Sequence, residues 1–203
     1  AAKSRGVLNV EGGRADLGGG ATMCRSGTAM SGYAEINLSA GELNCGKSIG
    51  YGLTIARAEN TTGLAQAKVN VSGGVLDMGR SLWNSAVNRH GLLVGVVGLV
   101  AGGVALGEIN ISGGTFTNSG QFILGTGQGA TGTVVQTGGN MRQGMSSYGV
   151  TCYQTTIGWG GGCGRYTLSG GTFVSAQPVY VGGVSTNDLG YTPSGILFTN
   201  NSA

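Results

Sequence analysis

Several residue types are scarce in this chain of 203 residues. It contains 2 Pro and 1 His, and only 9 % of its residues are charged. A single histidine excludes a metal site built from several histidines. The net charge of +3 is spread without a Lys/Arg tract, so we predict no nucleic-acid partner. The longest apolar stretch, 92–106, is interrupted by four glycines and falls short of the ~20 residues of a spanning helix, so we predict no membrane span.

Glycine is abundant instead, with 44 residues, and it accompanies many Val, Ile, Leu and Thr residues. That composition is typical of many short strands joined by tight turns. A six-residue pattern recurs, in which apolar and polar residues alternate and a pair of small residues follows. The copies are L-N-V-E-G-G at 8–13, I-N-L-S-A-G at 36–41, V-N-V-S-G-G at 69–74, I-N-I-S-G-G at 109–114, V-V-Q-T-G-G at 134–139 and Y-T-L-S-G-G at 166–171, and I-L-F-T-N-N at 196–201 begins a seventh that the chain does not finish.

The alternation within each copy has the period of a strand with one buried face. Repeats of this length that stack on each other predict an all-β right-handed parallel β-helix (β-solenoid) of about six to seven turns with loop insertions, as one domain over 1–203. A second strand per turn is expected where an apolar pair precedes glycine. The segments are Ser48-Ile49-Gly50, Leu93-Val94-Gly95, Ile123-Leu124-Gly125, Thr156-Ile157-Gly158 and Tyr180-Val181-Gly182. The predicted repeat units are 8–35, 36–68, 69–108, 109–133, 134–165, 166–195 and the partial unit 196–203.

The strings I-S-G-G-T-F within 109–127 and L-S-G-G-T-F within 166–183 are the best copies. They resemble the passenger-associated transport repeats (β-strand repeats) of bacterial autotransporter adhesins and related secreted β-helical surface proteins. The resemblance covers nearly the whole chain and implies a β-helical stalk outside the cell. It identifies no ligand and carries no catalytic residue over to this chain.

Asparagine recurs between the two apolar residues of the first four copies, at Asn9, Asn37, Asn70 and Asn110. Stacked asparagines hydrogen-bond along a ladder, so we predict a structural ladder, with a sugar-binding face as the alternative. Asn60, in an insertion, is the better candidate for a glycan acceptor than the ladder positions.

Acidic side chains are few, and Asp16 and Asp77 occupy equivalent repeat positions with Asn44 between them. Two strand spacings, about 10 Å, exceed what a retaining glycosidase pair needs and approach the limit for an inverting one. A calcium site on these three residues would have few ligands. We therefore expect solvent-facing ladder residues, with no catalytic residue, no metal and no cofactor. His90 is interpreted as a loop residue.

Four cysteines permit three pairings. In a β-helix, Cys24 and Cys45 belong to the first two turns and Cys152 and Cys163 to the fifth, about 14 Å or more away along the axis. A bridge tolerates Cα atoms only about 7 Å apart, so the prediction is Cys24–Cys45 and Cys152–Cys163. Disulfides favour an oxidising compartment, hence an extracellular or cell-surface location.

Together these features predict a non-catalytic extracellular structural subunit, a rigid rod or fibre building block. Its open ends lack a predicted cap, so self-association end to end into a homo-oligomer or filament is expected. The alternative is an adhesin or carbohydrate-binding passenger segment that contacts surface glycans through insertions at 53–68 and 80–107. A polysaccharide lyase or hydrolase ranks third, because the acids are too few and too dispersed, and we predict no enzyme.

Overall fold

The computed structural model describes residues 3–18, 21–27, 30–45, 52–59, 62–78, 91–98, 102–144, 155–176, 178–182 and 198–200, and these form strands and short turns. The strands belong to two sheets, and no helix long and apolar enough to cross a membrane occurs in these ranges. The strands are β1 Lys3–Leu17, β2 Ala21–Ser26, β3 Ser31–Cys45, β4 Leu53–Ala58, β5 Leu64–Val71, β6 Val75–Met78, β7 Leu92–Val97, β8 Val104–Ile111, β9 Thr115–Asn118, β10 Phe122–Thr126, β11 Ala130–Gln143, β12 Thr155–Trp159, β13 Cys163–Ser175, β14 Val179–Val181 and β15 Phe198–Asn200.

The larger sheet contains the recurring six-residue pattern, and its strands pair in parallel with the copies in register. Ile36 in β3 is the partner of Leu8 in β1 and of Val69 in β5, and the alignment continues through β8 to β13. The apolar positions of successive copies are therefore neighbours. The last pairing departs from the sequence alignment, since Tyr166 is the partner of Phe198 rather than of Ile196.

The predicted right-handed β-helix, or β-solenoid, of six to seven turns is wrong. The larger sheet closes on itself as a six-strand parallel barrel, because its pairings run from β3 through β5, β8, β11, β9 and β6 back to β3. The physical reason lies in β3 and β11, which continue through the small-residue pair without a break and pair with neighbours on both sides of it. The smaller sheet is separate and open, in the order β14-β12-β10-β7-β4-β2.

Side chains from both sheets form one hydrophobic core. Ile109, Ile111 and Phe116 from the larger sheet and Ile55 and Leu124 from the smaller one are fully buried. The alternation of apolar and polar residues explains which side chains of the larger sheet are buried, since every second residue of β5 and β8 is buried. Leu8, expected in the same buried row, is 38 % exposed because β1 lies at the edge.

The second small residue of each pattern has a positive φ, which explains the recurrence of glycine there. The six angles lie between 67° and 80°, at Gly13, Gly41, Gly74, Gly114, Gly139 and Gly171. A residue with a side chain would be strained at this backbone conformation, whereas glycine adopts it at low energetic cost.

The smaller sheet contains the predicted apolar-apolar-glycine strands at β7, β10, β12 and β14, with positive φ at Gly95 and Gly125. Its first two strands were not predicted. There Cys24 and Ala56 occupy the positive-φ position, at 49° and 61°, where later strands have glycine. The predicted segment Ser48-Ile49-Gly50 lies outside the described residues.

Candidate functional site

The polar outer face of the larger sheet carries the asparagine ladder. Asn37 Nδ2 donates to Asn9 Oδ1 at 3.0 Å, Asn70 Nδ2 donates to Asn37 Oδ1 at 2.7 Å, and Asn110 Nδ2 donates to Asn70 Oδ1 at 3.0 Å. Register pairing of β1, β3, β5 and β8 brings these four side chains together. The amides of Asn37, Asn70 and Asn110 each donate to the asparagine of the preceding strand, so the ladder has a direction.

A row of charged residues runs beside the ladder, two positions before the asparagine in β3, β5 and β8. Lys68 lies between Glu35 and Glu108 in the register, and its Nζ is 3.1 Å from Glu108 Oε1. Burial disfavours the charged form of Glu108, but hydrogen bonding from Asn110 and the ion pair with Lys68 outweigh burial and lower its pKa. This row was not predicted, although its constant spacing from the asparagines in the sequence was a usable signal.

A second column on the same sheet aligns Asp16, Asn44, Asp77 and Thr117. Asn44 Nδ2 donates to Asp16 Oδ1 at 2.7 Å, and Thr117 Oγ1 donates to Asp77 Oδ1 at 2.6 Å. Arg14 Nε lies 3.0 Å from Asp16 Oδ2, and Arg14 Nη1 lies 3.9 Å from Glu42 Oε2. The expectation of solvent-facing residues fails at Asn44, which is only 1 % exposed.

The column does not bring two carboxylates together. Asn44 separates Asp16 from Asp77, and each carboxylate accepts a hydrogen bond from a neutral side chain. Within the described ranges, no group of three or more His, Cys, Asp or Glu residues is arranged to hold a metal ion.

The predicted disulfides are wrong for the cysteines that are described. Cys24, Cys45 and Cys163 are free thiols, and Cys152 lies outside the described residues. Membership of adjacent repeats is insufficient for a bridge, because Cys24 lies in β2 of the smaller sheet and Cys45 ends β3 of the larger one. Burial, with a smaller contribution from the charge of Asp77, raises the pKa of the Cys45 thiol to about 12. The thiols therefore give no support to an oxidising compartment.

The described parts of the two insertions proposed for glycan binding, 53–68 and 80–107, are largely strands. Residues Leu53–Ala58 and Leu64–Val71 form β4 and β5, and Leu92–Val97 forms β7. Their side chains contribute to the core, so these segments are not free binding loops. Asn60 and His90 lie outside the described residues.

The outermost strand of the larger sheet, β1, is the most exposed long strand. Val10 is the only buried residue of its 15, and Val7 and Leu8 are 48 % and 38 % exposed. Within the described residues β1 pairs only with β3, so the other side of its backbone presents hydrogen-bonding groups to solvent.

Comparison with protein-family models, with curated proteins and with solved structures finds no significant match to this chain.

Proposed function

We propose that this chain is a non-catalytic structural subunit of an extracellular or cell-surface fibre, and that it assembles end to end by strand pairing at β1. The observation that carries the proposal is the unpaired side of this long edge strand, beside the exposed Val7 and Leu8. An exposed edge of this length is a ready template for another strand. The likeness of the repeats to those of secreted surface proteins supports the location.

A glycine near this edge supports the same proposal. A Cβ at Gly73, Gly113, Gly138 or Gly170 would lie 2.2–2.3 Å from a carbonyl oxygen of the preceding copy of the pattern, so a side chain at these four positions would overlap its neighbour. Gly12 holds the same place in the first copy, yet nothing lies within 4 Å of a Cβ built on it. Alanine occupies this place once, at Ala40. A strand added to β1 would supply the close neighbour that Gly12 lacks.

The occupant that we propose is a second copy of this chain, which brings the opposite edge of its larger sheet, at β15, to β1. Exposed apolar side chains also lie at that end of the two sheets, with Val174 in β13 of the larger sheet at 47 %, and Val179 at 36 % and Tyr180 at 45 % in β14, the last strand of the smaller sheet. A contact between two different edges is heterologous, and such contacts extend into filaments when the rotation does not close a ring. The direction of the asparagine ladder is consistent with head-to-tail addition, since Asn9 Oδ1 accepts from Asn37 on the β3 side and the Asn9 amide remains the next donor in the row.

The test compares two leucines of equal exposure. Leu8 and Leu106 are both 38 % exposed, but Leu8 lies in β1 and Leu106 lies in β8, an interior strand. A lysine on an edge strand opposes further pairing. We expect the parent chain and Leu106→Lys to form concentration-dependent filaments in sedimentation and electron microscopy, and Leu8→Lys to remain monomeric.

Gly12→Val is a second variant that should leave the monomer folded, since nothing in the chain lies near the added side chain. It should still block assembly. Monodisperse parent monomers at every concentration, or filaments of unchanged length from both edge variants, would overturn the proposal.

A further inference from the structure

The column Asp16, Asn44, Asp77 and Thr117 places one amide between two carboxylates. Asn44 donates through Nδ2 to Asp16. In the neighbouring ladder, an amide such as that of Asn37 donates to one adjacent strand and accepts from the other. By the same geometry Asn44 Oδ1 faces the strand of Asp77. An ionised carboxylate only accepts hydrogen bonds, so two acceptors face each other there.

The two facing acceptors lie in a buried place on the side of Asn44. Asn44 is 1 % exposed, and its Oδ1 has no hydrogen-bond partner. A buried carbonyl without a partner destabilises the folded state, and such groups in native proteins commonly contact water or an ion. Turning the amide over would only place its oxygen against Asp16. The column therefore lacks one positive or donating group, whichever way the amide points.

Charge distinguishes the two sides of Asn44. Asp16 already has a cationic neighbour, since Arg14 Nε is 3.0 Å from its Oδ2. Asp77 accepts from the neutral hydroxyl of Thr117, and no Lys or Arg of the described residues forms an ion pair with it. Asp77 is only partly buried, so water can reach it. The missing positive charge belongs between Asn44 and Asp77.

We propose that Asn44 Oδ1 and the Asp77 carboxylate bind a hard, oxygen-preferring cation, for which Ca²⁺ is the probe. Amide and carboxylate oxygens are ligands that Ca²⁺ accepts at ~2.3–2.6 Å, and adjacent strands about 4.8 Å apart leave room for one ion between them. Water completes the coordination. With one carboxylate the affinity is weak, with a dissociation constant of roughly 10⁻⁴–10⁻³ M, as in extracellular calcium modules.

The test measures thermal unfolding of the whole chain with EDTA and with 10 mM Ca²⁺. We expect Ca²⁺ to raise the Tm by about 3–10 °C, because a ligand that binds only the folded state stabilises it. In Asp77→Asn, an amide at position 77 donates to Asn44 Oδ1 and accepts from Thr117. This variant should have a higher Tm than the parent in EDTA and should not respond to Ca²⁺.

Asp16→Asn is the matched control, since it makes the same change one strand away and leaves Asn44 and Asp77 in place. It should retain the Ca²⁺ response. A parent chain whose Tm does not change with Ca²⁺ would overturn the proposal and indicate that water or a proton fills the gap. An equal response in Asp77→Asn would also overturn it. Neither result depends on assembly at β1 if the measurements use the monomeric Leu8→Lys background.

Discussion

At the scale of single residues, the two polar columns of the larger sheet differ in whether donors and acceptors alternate. In the asparagine ladder each amide provides one donor and one acceptor, so the row is satisfied from Asn37 to Asn70. In the column of Asp16, Asn44, Asp77 and Thr117, a carboxylate stands at position 77 where an amide could donate. Asn44 Oδ1 is therefore left without a hydrogen-bond partner. A polar ladder therefore stabilises a parallel sheet only where every member supplies a donor.

The interior of the asparagine ladder should matter more than its end. Asn70 donates to Asn37 and Glu35 and accepts from Asn110, whereas Asn9 is exposed and accepts one bond. With about 0.5–1.5 kcal/mol per hydrogen bond, we expect Asn70→Ala to lower the free energy of unfolding by roughly 1–3 kcal/mol and Asn9→Ala by less than about 1. Urea unfolding measures both. Equal losses would show that the ladder is not cooperative.

At the scale of strands, the smaller sheet shows that the backbone of an adjacent strand determines which residue type fits at a bend. A Cβ at Gly125 would lie 2.1 Å from the carbonyl oxygen of Cys163, and φ there is 70°. We expect Gly125→Ala to destabilise the chain by roughly 2–4 kcal/mol, since strain and steric overlap act together. Ala56→Gly, at the equivalent bend, should change stability by less than about 1 kcal/mol. Denaturant midpoints compare the two, and similar small effects would contradict this account.

The same strands show what could be predicted from the sequence. Alternation predicted the strands of the larger sheet because burial on one face imposes a period of two, as in β5 and β8. It missed β2 and β4, since Cys24 and Ala56 conceal the glycine signal. Closure of the larger sheet depends on β3 and β11 continuing past their small residues, which no local pattern encodes. The disulfide prediction was wrong because cysteines of adjacent repeats can lie in different sheets, as Cys24 and Cys45 do.

At the scale of the whole molecule, the core is apolar but contains satisfied polar groups. Tyr166 donates to Gln136 Oε1, and Gln136 Nε2 donates to the carbonyl oxygen of Thr172 at 2.9 Å. Asn118 Nδ2 donates to Gln143 Oε1 at 2.7 Å at the other end of β11. These pairs connect successive strands inside the core, as the asparagine ladder connects them outside. Buried groups that must stay un-ionised, such as the Tyr166 hydroxyl, also make the folded state less stable at high pH.

Stability should fall in alkaline solution. Burial raises the pKa of Cys45 from 9.0 to about 12, and burial also raises that of Tyr166. Between pH 9 and about 12 the unfolded chain loses the Cys45 proton while the folded chain retains it, so the free energy of unfolding decreases as pH rises, by up to about 1.4 kcal/mol per pH unit for one thiol. Urea unfolding at pH 8, 9.5 and 11 measures the slope.

The variant Cys45→Val removes this thiol and should reduce the slope, whereas Cys163→Val, at an exposed cysteine, should not. The two changes are chemically the same, so they separate the buried thiol from the general effect of losing a cysteine. In Cys45→Val the free energy of unfolding should still decrease above pH 10, but less than in the parent chain. Tyr166 causes this remaining decrease, because its buried hydroxyl stays protonated in the folded chain. If the dependence of unfolding free energy on pH were the same in Cys45→Val as in the parent, the Cys45 thiol would ionise equally in the folded and unfolded chain. The packing around the end of β3 would then admit hydroxide before the molecule unfolds.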